Sequence, residues 1–124
     1  MEKLMFKLPD FIFESEKAFT AWLGRQIHDA GGLWHKISDM GIDAKPADAI
    51  FALDWLAGII EIKVWNEKLR VDIHPKLRDC QVFWLKRYQK NWWLSLVVYY
   101  NKYHHKYRVM EYTPELNLVF SASK

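Results

Sequence analysis

The chain has few of the residues that crosslink or interrupt a polypeptide. Its 124 residues include a single cysteine, Cys80, so no intrachain disulfide can form and a reducing, cytoplasmic compartment is expected. The five glycines and four prolines form no linker, repeat or low-complexity segment. We therefore expect a single domain over residues 1–124, long enough to bury one hydrophobic core.

Long hydrophobic runs are also missing. The longest, Trp92 to Tyr100, contains Ser95 and is far shorter than the roughly 20 apolar residues that span a bilayer. An earlier apolar stretch, Leu4 to Phe13, is interrupted by two charged residues and a proline, which excludes the core of a signal peptide. No membrane partner is expected.

Aromatic residues, in contrast, are abundant at 16%, with seven tryptophans. The 51% hydrophobic and 27% charged residues indicate a globular protein. A net charge of +3 is compatible with an anionic partner but does not require one. Because the Trp and Tyr residues fall mostly within predicted helices and strands, core packing or a dimer interface explains them better than base stacking.

The hydrophobic periodicity predicts an α/β protein. A first helix is expected between an N-cap at Ser15 and a stop at Gly31, since its apolar residues recur at steps of three and four. A second helix is expected to begin at His74-Pro75, with proline at its first position. The predicted strands are Leu33 to Ser38, Pro46 to Leu53, Leu56 to Val64, Trp92 to Tyr100 and His105 to Tyr112. This order predicts a mixed central β-sheet of about five strands flanked by α-helices.

Two carboxylates are predicted to meet across a hairpin. A two-residue link joins the second and third strands, so Leu53 is expected to face Leu56, and the same register places Asp48 opposite Glu61. Carboxylates across a ladder repel each other, which calls for a compensating cation. Lys63 shares the face of Glu61 and supplies part of the compensation. A hard divalent ion such as Mg²⁺ would supply the rest.

Each of these residues also has a structural interpretation. A Glu-x-Lys pattern on a strand is usually a solvent-exposed face, and a slip of one residue would turn Asp48 to the other side of the sheet. Glu16 continues the apolar stripe of the first helix towards the sheet, but it also complements the positive helix N-terminus. Gln81 lies on the apolar face of the second helix, where backbone groups can satisfy a buried amide. Two polar side chains on inward helix faces, beside paired acids, favour a functional site.

The order of these residues resembles the PD-(D/E)XK nuclease superfamily. The motif residues are Glu16, Lys45-Pro46-Ala47-Asp48, Glu61-Ile62-Lys63 and Gln81. Within that superfamily the chain looks most like the Holliday-junction resolvases of bacteria, archaea and their viruses. The similarity extends from about Ser15 to Tyr100 and includes the His35-Lys36 segment. Ala47 splits the usual Pro-Asp pair, a departure that is tolerated because only the aspartate carries the ligand role.

The resemblance implies a restriction-endonuclease-like core and a Mg²⁺-dependent DNA endonuclease, often a homodimer, in which Mn²⁺ can substitute. Asp48 and Glu61 would bind the metal, with the Ile62 carbonyl as a candidate third ligand. Glu16 would act directly or through a water. Lys63 would orient the attacking water or stabilise negative charge on the scissile phosphate, as hydrolysis of a phosphodiester requires.

The resemblance also suggests where DNA would bind. Gln81 would hold a water or a backbone phosphate near the site. The candidate phosphate contacts are Lys36, Lys45, Arg78 and Lys86. A later basic cluster, Lys102 to Arg108, adds positive charge, and such groups supply sequence-independent affinity that weakens with salt. His104-His105 in this cluster does not indicate zinc, because neighbouring strand residues point to opposite faces and no cysteine pair accompanies them.

The sequence thus predicts a Mg²⁺-dependent DNA endonuclease, and most specifically a homodimeric Holliday-junction resolvase of DNA recombination and repair. Two symmetry-related sites would make paired cuts. The chain has no room for the large insertion or arm with which some resolvases engage a junction, so cleavage is better supported than junction specificity. Two alternatives stay open: a flap-, single-strand- or nick-directed nuclease of the same fold, and a non-catalytic nucleic-acid- or protein-binding module.

Overall fold

A five-stranded mixed sheet organises the protein. The computed structural model describes residues 2–38, 45–69 and 75–116. The elements are α1 (Glu16–Asp29), β1 (Leu33–Lys36), β2 (Ala49–Leu53), β3 (Leu56–Trp65), α2 (Asp79–Lys90), β4 (Leu94–Asn101) and β5 (Lys106–Glu111). The strands lie in the order β1-β2-β3-β4-β5, with β3 and β4 parallel and the other neighbours antiparallel. The predicted α/β class, with a mixed sheet and flanking helices, is confirmed.

The limits of α1 agree with the sequence prediction. The Ala18 N–H donates to the Ser15 hydroxyl at 3.1 Å, and this satisfies one of the free donors of the first turn. The helix ends before Gly31, whose φ of 92° lies in the region that glycine adopts without strain. The apolar stripe is buried and consists of Phe19, Trp22, Leu23 and Ile27.

Each face of the sheet has its own core. Side chains of α1 pack with Ile60 and Ile62 of β3, whereas Leu85 of α2 packs with Ile59 of the same strand. Successive side chains of a strand alternate between faces. The even-numbered residues of β3 therefore point to the α1 face of the sheet and the odd-numbered residues to the α2 face.

The hairpin between β2 and β3 has the predicted register. Leu53 pairs with Leu56 across the turn. The two turn residues, Asp54 and Trp55, have φ values of 47° and 73°, as a type I′ turn requires. Neither is a usual residue for this turn, and Trp55 is fully exposed. The turn geometry thus sets the register that positions Asp48.

The predicted start of the second helix was wrong. Pro75 lies in an irregular segment and α2 begins at Asp79, while His74 is outside the described residues. The N-cap is Arg78, which is extended with φ −75° and ψ 157°. Its N–H donates to the side-chain Oε1 of Gln81 at 2.8 Å. A bond from a side chain three residues later therefore sets the start of the helix, as in half of a capping box.

Three strands begin later than the sequence pattern predicts. Those expected at Pro46, Trp92 and His105 begin at Ala49, Leu94 and Lys106, and β1 ends at Lys36 rather than at Ser38. Trp92 and His105 have φ values of 71° and 50°, which a strand does not hold. Turns therefore occupy the predicted first positions of β4 and β5.

Hydrogen bonds tie the segment before α1 to the other end of the chain. The Tyr107 hydroxyl donates to the Leu4 carbonyl at 2.7 Å and accepts from the Phe6 N–H. His105 lies 2.6 Å from the Pro9 carbonyl through Nε2 and 2.8 Å from the Tyr100 hydroxyl through Nδ1. The N-terminal segment is thereby held against the hairpin of β4 and β5.

Neither helix of the described part could cross a bilayer. With 14 residues in α1 and 12 in α2, both are shorter than the roughly 20 residues that a membrane span requires.

Candidate active site

Asp48 extends the pairing of β2 by one residue and points its carboxylate at β3. Its N–H donates to the Ile60 carbonyl at 3.0 Å, and its Oδ2 accepts the Ile62 N–H at 2.7 Å. The residues Asp48 and Glu61 are only 7% and 5% exposed, so the solvent-exposed interpretation of the Glu-x-Lys motif does not hold. The carboxylate of Asp48 thus accepts a β3 N–H that a backbone carbonyl would otherwise accept, and this hydrogen bond fixes the position of the carboxylate.

The two carboxylates lie next to each other, with Glu61 on the α2 face. Asp48 forms a bend before β2, because its N–H bonds to β3 whereas its carbonyl accepts the Ile37 N–H, and it also lines a cleft with Glu16 of α1. Glu61 and Lys63 are odd-numbered residues of β3 and point to the same face. The slip of one residue that would separate the acids is excluded by the observed register.

Glu61 is held in conditions that disfavour its charged form. Burial, and next the negative charge of Asp48, raise the pKa of Glu61 from 4.5 to about 9, and the positive charge of Lys63 only partly opposes this. At neutral pH, without a cation, the Asp48–Glu61 pair therefore retains a proton. A divalent ion between the two carboxylates would remove the same repulsion.

Gln81 joins α2 to this pair. Its Nε2 donates to Oε1 of Glu61 at 2.7 Å, while its Oε1 accepts the Arg78 N–H at 2.8 Å. A backbone group satisfies one end of the amide, as the structural interpretation expects, and the other end holds Glu61, while the predicted contact of Gln81 with a water or phosphate stays a prediction. Because each end has one partner, the amide can adopt only one orientation.

Lys45 forms an ion pair that sequence reasoning missed. Its Nζ lies 2.8 Å from Oδ1 of Asp48. Partial burial lowers the pKa of Lys45, but the hydrogen bond and charge of Asp48 outweigh this and raise it. The position of Lys45, three residues before Asp48, was the available signal. Its predicted phosphate contact stays a prediction, now with a competing partner.

Glu16 lies beside Asp48 at the start of α1. The two residues line a cleft of about 320 Å³ together with three lysines, Lys17, Lys36 and Lys45. Although Glu16 is exposed, its partial removal from water, and then the charge of Asp48, raise its pKa. The sequence argument that Glu16 turns towards the sheet is thus consistent with its surroundings.

Most of the predicted phosphate contacts lie near these acids. Lys36 lines the same cleft, and Lys17, which the sequence analysis did not single out, lies next to Glu16 in the chain. Arg78 is near enough to lower the pKa of Glu16. Lys86 is exposed on α2, more than a helical turn beyond Gln81, and lies further from the acids along the helix.

The donor set fits a small hard cation. Within the described residues no group of three or more His, Cys, Asp or Glu side chains is arranged to hold a metal. The remaining candidate ligands are the carboxylates of Asp48 and Glu61 and the main-chain carbonyl of Ile62. Mg²⁺ is commonly bound through one or two carboxylates and keeps several waters, so this smaller set is sufficient. The buried, mutually repelling acids are the observation that supports the fit.

Comparison of the chain with protein-family models, curated proteins and solved structures finds no match. The resemblance to PD-(D/E)XK nucleases therefore depends on the ordered motif residues themselves.

Proposed function

We propose that this protein is a Mg²⁺-dependent DNA endonuclease of the PD-(D/E)XK type, and most specifically a homodimeric Holliday-junction resolvase. One observation carries the proposal. Asp48 and Glu61 are buried side by side, and Lys63 shares the face of Glu61 on β3. Burying two carboxylates together costs stability. If the carboxylates had no function, apolar residues of similar volume could replace them without loss of stability.

The reaction is the hydrolysis of a phosphodiester. The oxygen of water bonds to phosphorus and one P–O ester bond breaks, so that one strand ends in a phosphate monoester and the other in a hydroxyl. Bound between Asp48, Glu61 and the Ile62 carbonyl, the ion would stabilise charge on the phosphoryl oxygens and lower the pKa of water. Lys63 would orient the water or stabilise negative charge, and Glu16 would hold a water at the mouth of the cleft.

The basic side chains around the acids are suited to a DNA backbone. Lys17 and Lys36 lie on the walls of the cleft that contains Asp48, and Arg78 approaches from the start of α2. Their charges would attract phosphates while the acids hold the metal. When metal compensates Asp48, Lys45 would be released to a phosphate as well.

The test is cleavage of a labelled four-way junction, a flap, a nicked duplex and a linear duplex, each with and without Mg²⁺. We expect Mg²⁺-dependent, paired cuts in the junction, and sedimentation as a dimer. Lys63→Met should abolish cutting, whereas the matched control Lys90→Ala, at the far end of α2, should cut normally. Equal rates on all four substrates would exclude a dedicated resolvase. Binding without cutting in either Mg²⁺ or Mn²⁺ would overturn the nuclease proposal.

A further inference from the structure

Asp48 has a partner on each of its two carboxylate oxygens. Oδ2 accepts the buried Ile62 N–H at 2.7 Å, and Oδ1 lies 2.8 Å from Nζ of Lys45. Loss of the first bond would leave a buried backbone donor unsatisfied, which is costly. Oδ1 is therefore the oxygen that Asp48 can offer to a metal ion, and the ammonium group of Lys45 already lies against it.

The ammonium group of Lys45 is within electrostatic reach of all three acids of the candidate site. Partial burial lowers the pKa of Lys45, but the hydrogen bond and charge of Asp48 outweigh this and raise it. The charges of Glu61 and Glu16 raise it further. In the absence of metal, Lys45 thus provides part of the positive charge that the cluster of acids requires.

Lys45 can leave this position without disturbing the sheet. It lies in the irregular segment before β2, and its side chain is 29% exposed. The backbone is anchored three residues later, where the Asp48 N–H donates to the Ile60 carbonyl at 3.0 Å. The ammonium is carried on a flexible stem of four carbons, and the adjoining cleft of about 320 Å³ gives it room to turn. The backbone of Lys63, in contrast, is fixed by the pairing of β3 with β4.

An ammonium group and a divalent ion compete for Oδ1 of Asp48. Both are cations and would repel each other if they shared one oxygen. Mg²⁺ carries twice the charge and prefers carboxylate oxygen, whereas a lysine ammonium is also held well by phosphate. Lys17 and Lys36 line the same cleft and would attract a phosphate there. The cleft therefore offers a displaced ammonium a second partner when DNA is bound.

We propose that Lys45 is an exchangeable cation, which stabilises the acids while metal is absent and leaves Oδ1 of Asp48 when a divalent ion binds. Lys45 therefore lowers the metal affinity of the site, and its ion pair contributes to the stability of the metal-free protein alone. The inference rests on the metal site of the proposed nuclease. It assigns the control of metal affinity to a residue that is not itself a ligand.

Binding of Mn²⁺ without DNA tests the exchange and needs no cleavage. The electron paramagnetic resonance signal of the free ion gives the dissociation constant for each variant. Lys45→Met removes the competing charge and should bind Mn²⁺ about 5- to 10-fold more tightly than the parent. Lys45→Arg should bind it more weakly, because a guanidinium holds a carboxylate more firmly. The matched control Lys36→Met removes the same charge from the same cleft, but no ion pair with Asp48, and should change the affinity by at most about twofold.

Thermal unfolding provides a second measurement. In EDTA, Lys45→Met should melt below the parent, because Asp48 loses its counter-ion. In saturating Mg²⁺ the difference should vanish, because the ion then stabilises the acids in both proteins. A difference of the same size in both conditions would overturn the exchange, since Lys45 would then remain on Asp48 beside the metal.

The outcomes separate this inference from the nuclease proposal. If the parent binds Mn²⁺ and Lys45→Met binds it no more tightly than Lys36→Met does, the exchange is overturned while the metal site stands. Tighter binding by Lys45→Arg than by the parent would overturn it as well. If no variant binds Mn²⁺ or gains stability in Mg²⁺, both proposals fail. If the exchange is found but no DNA substrate is cut in either metal, the nuclease proposal alone fails.

Discussion

The two faces of the sheet are built from the same strands but by different rules. On the α1 face the core cluster is apolar and aromatic, and the ring of Phe19 stacks on that of Tyr100 at 4.7 Å. On the α2 face the apolar core is interrupted by Glu61 and the amide of Gln81, with Asp48 buried beside them. Burial of two neighbouring carboxylates is costly even with partners such as Lys45 and Gln81, whereas burial of aromatic rings is favourable. The α1-face core therefore provides stability, and the cluster of acids carries a cost that the proposed site would account for.

Strand β3 contains both kinds of residue in alternation. Ile60 and Ile62 are completely buried in the α1-face core, while Glu61 between them and Lys63 after them point to the α2 face. Substitutions at adjacent positions should therefore separate stability from activity.

The largest effect is expected for Lys63→Met on activity. Methionine retains most of the apolar side chain but removes the ammonium group that would stabilise charge on the phosphate. Loss of such a group lowers turnover by about 10²–10³-fold or more. Single-turnover cleavage measures this effect, and a urea titration should give an unfolding free energy close to that of the parent. Cleavage at the parental rate would remove Lys63 from the mechanism.

The neighbouring substitution Ile62→Ala should act on stability instead. The side chain is fully buried against α1, and truncation of such a residue costs about 2–5 kcal/mol through lost contacts and the remaining cavity. Urea unfolding measures the loss, with Ile60→Ala as a matched control on the same face. The main chain of residue 62, which binds Asp48, is unchanged, so folded protein should still cleave DNA. A stable but inactive Ile62→Ala protein would contradict the division between the faces.

The pH dependence of stability should come mainly from the α2 face. Because the pKa of Glu61 is raised from 4.5 to about 9 by burial and by Asp48, the folded protein holds a proton that the unfolded chain releases. Without metal, the stability contributed by this protonated carboxyl is complete below about pH 4.5 and is lost as the pH rises towards about 9. The melting temperature should therefore fall as the pH is raised from about 4.5 to about 9. Glu61→Gln should flatten the decline, and Mg²⁺ should raise the melting temperature of the parent more at high pH than at low pH. If the melting temperatures of the parent and of Glu61→Gln change in parallel with pH, the link between stability and the protonation of Glu61 is disproved.

The parts of the fold and of the candidate site that the sequence predicted correctly are those whose contacts are local in sequence. The pairing of Asp48 with Glu61 follows from the alternation of two strands and a two-residue turn, and the turn formed despite the unusual residues Asp54 and Trp55. The start of α2 was mispredicted, because a side-chain bond to Gln81 rather than a proline determines it.

Contacts between distant segments were not predictable. The ion pair of Lys45 uses a residue that had been assigned to phosphate binding, since charge alone does not distinguish the two roles. A cavity of about 480 Å³ is lined by Trp65, Arg108 and residues of the N-terminal segment. These residues are dozens of positions apart in the sequence and belong to no common motif. Only the assembled sheet brings them to one place.

The smallest expected effect concerns the link between the helix and the acids. Gln81→Leu keeps the volume of the side chain but removes its bonds to Glu61 and to the Arg78 N–H. Loss of a helix cap and of one buried hydrogen bond typically costs about 1 kcal/mol each. Urea unfolding should show a decrease of about 2 kcal/mol in total, at the lower end of the range expected for Ile62→Ala, whereas cleavage should fall about tenfold because Glu61 is no longer oriented. Gln81→Glu serves as the control: its carboxylate can still accept the Arg78 N–H, but it adds charge next to Glu61 and should shift the optimum for cleavage to a higher Mg²⁺ concentration. If Gln81→Leu leaves cleavage unchanged while lowering stability, Gln81 belongs to the structural side of the comparison and α2 has no part in positioning the acids.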